Sequence, residues 1–294
     1  MDHGSVDHSL SWVRRTLAEN GIAAQRRWGQ NYLINAGARR KIVRLLDPRA
    51  GERIWEVGPG LGALTDLLAP AGCSMVLFEI DWKLVQFLRT RYESQEKIRV
   101  VAGDVLKTWK TEAAVHGWPE KIAGNLPYRS ASALLASLAE AGAASSRMVF
   151  TVQRELAERM TAEPRRKEYS SFSVMCRTSF QIRLQGDLNP GSFYPAPRVV
   201  STVVEIVPRS DAVRGGRRKL LSTVAQGLFE NRRKTLRNNL LTGGRFKGCD
   251  RPGLVAVLER LGIDPQARAE TLEPETFIRI ADAFAAFFPD PPPR

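Results

Sequence analysis

The chain has 294 residues, 43% of them hydrophobic, and carries a formal net charge of +13. This size and apolar content allow one full core plus a smaller second unit, which excludes a disordered chain. No apolar run approaches the ~18 residues of a membrane span, so we expect an unexported, cytoplasmic protein. Three separated cysteines without a CxxC pair indicate free thiols rather than a disulfide framework or a zinc site, and three histidines argue against histidine-based catalysis.

The chain begins with a polar stretch, and we interpret residues 1–24 as a helical N-terminal extension. The letters QRRWGQNY follow at 25–32, where arginines are interleaved with Trp28 and Tyr32. Interleaved cations and aromatic rings are typical of nucleic-acid binding, although a solvated basic surface has the same composition. We place the start of the first domain at residue 25.

Five short apolar or β-branched runs recur through the first two thirds of the chain, separated by segments of helical spacing. They are RIWEVG (53–58), SMVLFEI (74–80), IRVVAGD (98–104), KIAGNLP (121–127) and RMVFTVQ (147–153). Strands that alternate with helices predict βαβ units and a parallel sheet covered on both faces. Two later runs, SFQIRLQG (179–186) and STVVEIVP (201–208), have no long helix between them and predict an antiparallel hairpin at one edge. We expect this α/β domain to cover 25–209.

The character of the sequence changes after residue 208. A polar, glycine-containing linker is followed by segments of helical spacing without strand candidates, which predict a small helical domain over 210–287 and a disordered tail over 288–294. Between positions 209 and 250 there are eleven basic residues and three acidic ones. Charge concentrated in this way attracts polyanions, so we expect nucleic acid first and an anionic membrane second. The alternative is a solvated basic helix face, against which the second basic cluster at 25–32 argues.

A glycine loop follows the first run of the α/β domain. In WEVGPGLGALT (55–65), Gly58 and Gly60 stand before a segment of helical spacing. Glycine lets the backbone approach a ligand closely, and helix N-termini offer unpaired N–H groups to polar ligand atoms. Glu79 ends the second run about 20 residues later, where a carboxylate can hold both hydroxyls of a ribose. Together these residues predict a nucleotide-like ligand.

Two further polar residues stand where runs of the same sheet end, Asp104 after the third and Asn125 after the fourth. Ligands of open α/β sheets bind at the carboxyl ends of the strands, so these side chains should share one crevice with Glu79. An adenosine-shaped crevice suits a nicotinamide dinucleotide or S-adenosylmethionine. The GPGLG loop departs from the G-x-G-x-x-G spacing and no histidine is placed to carry a proton, which favours S-adenosylmethionine. Taken singly, each acid is also compatible with a solvated strand end.

The fourth run ends in Asn125, Leu126, Pro127 and Tyr128. Methyl transfer to the amine of an adenine would explain this combination of residues. The N6 lone pair is delocalised into the ring, and the nitrogen becomes nucleophilic when both of its hydrogens are donated to acceptors. The side-chain oxygen of Asn125 and the carbonyl of Leu126 are candidate acceptors, in a turn that Pro127 stiffens. Tyr128 can stack on a base taken out of its helix. The alternative is that Asn125 caps a helix and Tyr128 belongs to the core.

Eight motifs occur in order over roughly residues 15 to 285. They are GQNYLIN (29–35), EVGPGLGALT (56–65), EID (79–81), GDVL (103–106), GNLPY (124–128), QRELAERM (153–160), FYPAPRV (193–199) and LGIDPQARAETL (261–272). Together they resemble the ribosomal RNA adenine N6-dimethyltransferases of bacterial small subunits (16S rRNA). The resemblance implies a Rossmann-like S-adenosylmethionine methyltransferase sheet with an antiparallel edge, plus a C-terminal all-helical domain. It also implies N6,N6-dimethylation of two adjacent adenosines in a 3′-terminal hairpin of that rRNA during ribosome assembly.

The resemblance also implies roles for single residues on the cofactor side. Asn31 and Leu33 should cover the methionine end of S-adenosylmethionine, and Gly58, with Gly60 of the same loop, should line the cofactor. Glu79 should bind its ribose.

Three more residues complete the implied site. Asp104 should bind the adenine amine of the cofactor, and Asn125 should stand between the cofactor and the target base. Phe193, which opens FYPAP, is a second candidate for stacking on that base. The alternative for Phe193 is an aromatic ring packed into the core below a proline-rich edge loop.

The sequence departs from the family pattern around the target-base pocket. Arg129 and Ser130 stand where Asn and Ile are more frequent, and Ala196, Arg198 and Val200 replace the frequent Pro, Lys and Asp. The cofactor side is untouched by these changes. Methyl transfer is therefore better supported than the identity of the acceptor.

Two competing functions remain open. A large-subunit rRNA adenine methyltransferase of the macrolide-resistance type shares the motifs, but NLPY rather than NIPY and the LGIDP segment argue against it. A non-catalytic ribosome-assembly or RNA-binding protein would not need the intact set of acids, glycines and amide. The expected partners are small-subunit rRNA and a 30S assembly intermediate, without a membrane, and a monomer is the default expectation.

Overall fold

The computed structural model describes residues 7–25, 28–213 and 215–288. The arginine pair at 26–27 and most of the predicted tail, 289–294, lie outside these ranges. The β-strands are β1 (Tyr32–Leu33), β2 (Arg53–Val57), β3 (Ser74–Glu79), β4 (Ile98–Ala102), β5 (Lys121–Asn125), β6 (Arg147–Gln153), β7 (Phe180–Leu188), β8 (Phe193–Tyr194) and β9 (Ser201–Pro208). The α-helices are α1 (Leu10–Glu19), α2 (Ala36–Leu46), α3 (Thr65–Leu68), α4 (Trp82–Arg91), α5 (Val105–His116), α6 (Tyr128–Ala141), α7 (Arg154–Thr161), α8 (Ser171–Ser179), α9 (Gly216–Leu228), α10 (Leu236–Thr242), α11 (Arg251–Arg260) and α12 (Pro274–Phe284).

Seven strands form the main sheet, in the order β4-β3-β2-β5-β6-β9-β7. Neighbouring strands among β2 to β6 pair in parallel, whereas β9 runs antiparallel to β6 and β7 lies at the edge next to β9. The central parallel strands are almost wholly buried because helices cover both faces, which explains their continuous apolar runs. The predicted α/β sheet with its antiparallel edge is thus confirmed.

Sequence patterns did not predict a second, two-stranded sheet. In it β1 pairs antiparallel with β8, so that Tyr32 faces Tyr194 and Leu33 faces Phe193. Strands of two residues are too short to show any periodicity. The pairing joins the GQNYLIN and FYPAPRV motifs, which are about 160 residues apart in the sequence.

An aspartate caps the N-terminus of each of two helices, α4 and α5, that follow strands of the main sheet. The Asp81 carboxylate accepts a hydrogen bond from the Lys83 N–H at the start of α4. The Asp104 carboxylate accepts one from the Leu106 N–H at the start of α5. Such caps satisfy N–H groups that a helix leaves unpaired, so the strand-to-helix turns at this edge are fixed by side chains.

The chain divides into two compact units. The first comprises the residues up to 134 with 144–157 and 182–208, and the second comprises 135–143, 158–181 and the residues from 209 onward. The second unit is helical and has its own core, which includes Tyr169, Leu228, Phe246, Phe277 and Phe284. Sequence patterns assign 158–181 to the α/β domain, whereas α8 packs with α9 and α12 in the second unit. Of the helices that the structure describes, none is long and apolar enough to cross a membrane.

Candidate active site

Two adjoining cavities lie at the carboxyl ends of β2, β3, β4 and β5. The larger has a volume of about 450 Å³, the smaller about 60 Å³. Both are lined by Trp28, Gly58, Glu79, Ile80 and Pro127. Asp104 lines only the larger cavity, and Asn31, Leu33, Gly60 and Asn125 line only the smaller one. The structure therefore brings together all of the residues that the sequence predicts to bind a cofactor.

Glu79 is the acid at the end of β3, and it is 5% exposed. One carboxylate oxygen accepts hydrogen bonds from the N–H groups of Ile80 and Asp81, at 2.9 and 3.0 Å. The other accepts from the Gly60 N–H at 3.3 Å. Burial raises the pKa of Glu79 to about 7, while these N–H donors act in the opposite direction. The carboxylate is thus held in place by the backbone while it lines both cavities.

The glycine loop leaves room that side chains would occupy. Gly58 has φ +67° and Gly60 has φ +59°, backbone conformations that favour glycine. A Cβ atom on Gly58 would lie 3.6 Å from the Asn125 carbonyl oxygen and 3.7 Å from Pro127 Cδ. A Cβ atom on Gly60 would lie only 3.1 Å from the Tyr32 ring. Both glycines therefore let the loop backbone lie close to Tyr32 and to the turn after β5.

Asp104 lies half-buried in the wall of the larger cavity. One of its oxygens accepts the Leu106 N–H at 2.9 Å. No hydrogen bond to its second oxygen is found among the described residues. Asp104 can therefore cap a helix and still accept a hydrogen bond from an amine in the cavity.

Asn125 is oriented by the segment before β1. Its Nδ2 donates to the carbonyl oxygen of Asn31 at 2.6 Å, which leaves Oδ1 as the free acceptor of the amide. The Asn31 side chain in turn donates to the Gly29 carbonyl at 3.0 Å. Leu126, 1% exposed, donates its N–H to the Thr151 carbonyl on the neighbouring strand β6 at 3.0 Å. The turn that carries the predicted acceptors is thus anchored on both sides.

The two predicted stacking residues have different environments. Tyr128 is half-buried and begins α6, and its hydroxyl shares a hydrogen bond with the Ser201 hydroxyl at 2.6 Å. Phe193 is 2% exposed and packs in the core with Leu33 and Val203. A side chain this deeply buried presents no free ring face to a base. Phe193 thus packs in the core of this structure, as its alternative interpretation expects, and its stacking on the target base stays a prediction.

Sequence patterns missed two titratable residues of the smaller cavity. Glu56, 1% exposed, accepts a hydrogen bond from the Thr65 hydroxyl at 2.6 Å, and burial raises its pKa to about 8. An acid inside an otherwise apolar strand was the available signal. His8 comes from the N-terminal segment, is 1% exposed and bonds to Asp66 at 2.7 Å. No local pattern connects two residues that lie 58 positions apart.

This set of residues suits S-adenosylmethionine. The cofactor carries positive charge on its sulfonium and ammonium groups, and two buried carboxylic acids in one small cavity are stabilised in their ionised form by a cation. The free Asp104 oxygen suits the adenine amine, and Glu79 suits the ribose. The glycines leave space for the ligand that any side chain would reduce.

Comparison with known proteins supports the same conclusion. The profile of the family "Ribosomal RNA adenine dimethylase" matches residues 21–286. "Ribosomal RNA small subunit methyltransferase A" of Treponema pallidum is 40% identical over 280 residues, covering 95% of this chain and 97% of that protein. The corresponding protein of Borreliella burgdorferi is 37% identical, with 95% of each chain covered.

A solved structure extends the likeness to the fold. The crystal structure of a dimethyladenosine transferase from Plasmodium falciparum matches with a TM-score of 0.74 and 23% identity, covering 87% of this chain and all of that one. The geometry of the site agrees with the family match, which covers residues 21–286. The chain belongs to the ribosomal RNA adenine dimethylase family and is an S-adenosylmethionine-dependent methyltransferase.

Proposed function

We propose that this chain dimethylates N6 of two adjacent adenosines in a 3′-terminal hairpin of small-subunit rRNA. It would act as a monomer on a 30S assembly intermediate in the cytoplasm. The observation that carries the proposal is the convergence of Glu79, Asp104 and Asn125 at the carboxyl ends of three strands of one sheet. The name of the 40% identical relative from T. pallidum supports the small subunit as the target.

The cofactor side of the proposed site uses buried acids and backbone groups. Glu79 would accept hydrogen bonds from the ribose hydroxyls, and the free oxygen of Asp104 would accept one from the adenine amine. Gly58 and Gly60 let the backbone approach the ligand. The methionine end would lie in the smaller cavity, whose wall includes Asn31 and Leu33. When bound, S-adenosylmethionine supplies an electrophilic methyl group on sulfur.

The acceptor side uses the turn after β5. Asn125 Oδ1 and the Leu126 carbonyl would accept the two N6 hydrogens and direct the nitrogen lone pair at the methyl carbon. The N–C bond would form as the S–C bond breaks. The N6 proton, acidic once the nitrogen is methylated, would then leave to water, so these residues need supply no strong base. Pro127 holds the turn, and Tyr128 would stack on the target base.

The second, helical unit would bind the rRNA backbone. Arg233, Lys234 and Arg237 are exposed at the surface, whereas nearby Arg232 is in an ion pair with Glu270. Exposed cations bind phosphates and release counterions, which gives an affinity that falls with salt. We therefore propose residues 25–209 as the catalytic domain and 210–287 as the RNA-binding domain.

The test is methyl transfer from labelled S-adenosylmethionine to small subunits and, separately, to large-subunit rRNA, both from cells that lack the modification. Nucleoside analysis then identifies the product. N6,N6-dimethyladenosine in small-subunit rRNA alone is the expected result. Label in large-subunit rRNA would favour the macrolide-resistance type of target. Cofactor binding without any transfer would favour a non-catalytic role in ribosome assembly.

A further inference from the structure

An open groove runs along α4, the helix that follows the Glu79 strand. Its volume is about 590 Å³, and its lining includes Trp82, Lys83, Gln86, Phe87 and Arg91. Its lining residues are not shared with the two cavities of the active site. Arg91 is in an ion pair with Asp66 at 2.7 Å. The aromatic rings, the Gln86 amide and the Lys83 ammonium of this concave surface are groups that can recognise a nucleobase and its phosphates.

Trp82 is the most conspicuous residue of this groove. It is 58% exposed, and it is the only one of the six tryptophans, all of which lie within the described ranges, that is exposed. An exposed indole offers a ring face on which a base can stack. Ile80, two residues earlier, is 40% exposed and lines both cavities of the active site. The groove therefore begins within two residues of the wall of the site.

The charge around Trp82 is positive. Helix α4 has the sequence WKLVQFLRTR, without an acid, and its Lys83 and Arg89 are exposed. Lys83 lines the groove, where its ammonium also donates to the Gly21 carbonyl, and Arg89 lies beside Trp82 just outside the lining. The Arg89 guanidinium lies 5.8 Å from the Trp82 ring centroid. Within the described ranges, no carboxylate lies at ion-pair distance from Arg89. Asp81, which caps the helix, is only 4% exposed and therefore does not neutralise this surface.

We propose that this groove binds an unpaired nucleotide of the substrate RNA, with its base stacked on Trp82 and its phosphates near Lys83 and Arg89. The proposal rests on the proposed function, because the rRNA substrate is what brings the nucleotide to this surface. Stacking on an exposed ring does not depend on base identity, whereas the cations select a polyanion. The groove would hold RNA that flanks the target adenosines, outside the catalytic cavities.

The test compares full-length Trp82→Ala and Trp82→Phe in binding to small subunits from cells that lack the modification. We expect the dissociation constant to rise about tenfold for Trp82→Ala, since one stacked base is lost, and to stay within about threefold for Trp82→Phe. Val115→Ala, which shortens another exposed apolar side chain outside the groove (68% exposed), should have no effect. The affinity for S-adenosylmethionine should be unchanged in all three variants, which also shows that they are folded.

Photo-crosslinking provides an independent readout. Irradiation of the wild-type complex should give a nucleotide adduct on the peptide that contains residues 82–91, and Arg89→Gln should weaken RNA binding several-fold. Wild-type RNA affinity in both Trp82→Ala and Arg89→Gln, or a crosslink from this peptide to a ribosomal protein instead of a nucleotide, would overturn the proposal. If wild-type enzyme still methylates small subunits in that case, the groove assignment fails while the proposed function stands. If Trp82→Ala weakens RNA binding but the wild-type enzyme transfers no methyl group, the groove assignment stands while the proposed function fails.

Discussion

The charged groups of the active site in the first unit are buried acids, whereas those of the basic surface in the second unit are exposed cations. Glu56 and Glu79 are 1% and 5% exposed, and each accepts hydrogen bonds from nearby donors. Arg233, Lys234 and Arg237 are exposed at the surface. Buried acids select a small cationic ligand, whereas exposed cations attract a polyanion. Cofactor affinity and RNA affinity should therefore respond to different substitutions.

The largest effect should come from a residue that belongs to neither charge group. Asn125→Ala removes the acceptor oxygen of the amide, so we expect methyl transfer to fall about a hundredfold or more, because the N6 nitrogen loses its orientation. Affinity for RNA should change little. Single-turnover transfer and binding assays would measure this, with Asn189→Ala, an asparagine outside the site without a side-chain cap bond, as the control. Retained transfer would contradict the role given to Asn125.

The next effect concerns the buried acids. Glu79→Gln keeps the shape of the side chain but loses its charge, and we expect the dissociation constant of S-adenosylmethionine to rise about tenfold to a hundredfold. RNA affinity should stay the same. Isothermal titration calorimetry would measure the cofactor, with the exposed Glu96→Gln as the matched control. Equal losses of cofactor and RNA affinity would contradict the view that the two regions bind different ligands.

Removing exposed cations should weaken RNA binding moderately and leave cofactor binding unchanged. The double substitution Arg233→Ala, Arg237→Ala should weaken rRNA binding several-fold and reduce the slope of log affinity against log salt by about one for each lost phosphate contact. Cofactor affinity should not change. Arg217→Ala is the control, because Arg217 is already in an ion pair with Asp282. A salt slope identical to that of the wild type would show that these arginines do not touch phosphates.

The last prediction concerns stability and pH. The pKa of Glu56 is about 8 in the folded protein, against 4.5 for an ordinary glutamate, so the folded state binds the proton more tightly than the unfolded state. The free energy of unfolding without cofactor should therefore fall as the pH rises from about 5 to 8. Glu56→Gln should make this slope less negative by about 1 kcal/mol per pH unit. Denaturant titrations at several pH values would measure it, and parallel curves for the two proteins would refute the buried-acid interpretation.

The main sheet and the strand-end residues could be predicted from sequence because both depend on local patterns. Seven apolar runs marked the strands, and the rule that ligands bind at carboxyl ends placed Glu79, Asp104 and Asn125 in one crevice. The β1–β8 pairing and the position of His8 in the smaller cavity could not be predicted from sequence, because each joins short segments that are distant along the chain. The same pairing places Phe193 opposite Leu33, where it is 2% exposed, and local patterns alone had left its environment open.

The hydrogen bond between Asn125 Nδ2 and the Asn31 carbonyl has a consequence for the order of events. The carbonyl belongs to the segment that lines the smaller cavity, and the amide belongs to the turn that would meet the target base. A cofactor that fixes residues 29–33 against this cavity would therefore also fix the orientation of the Asn125 amide before the target base arrives. The turn itself stays anchored on β6 through the Leu126 N–H.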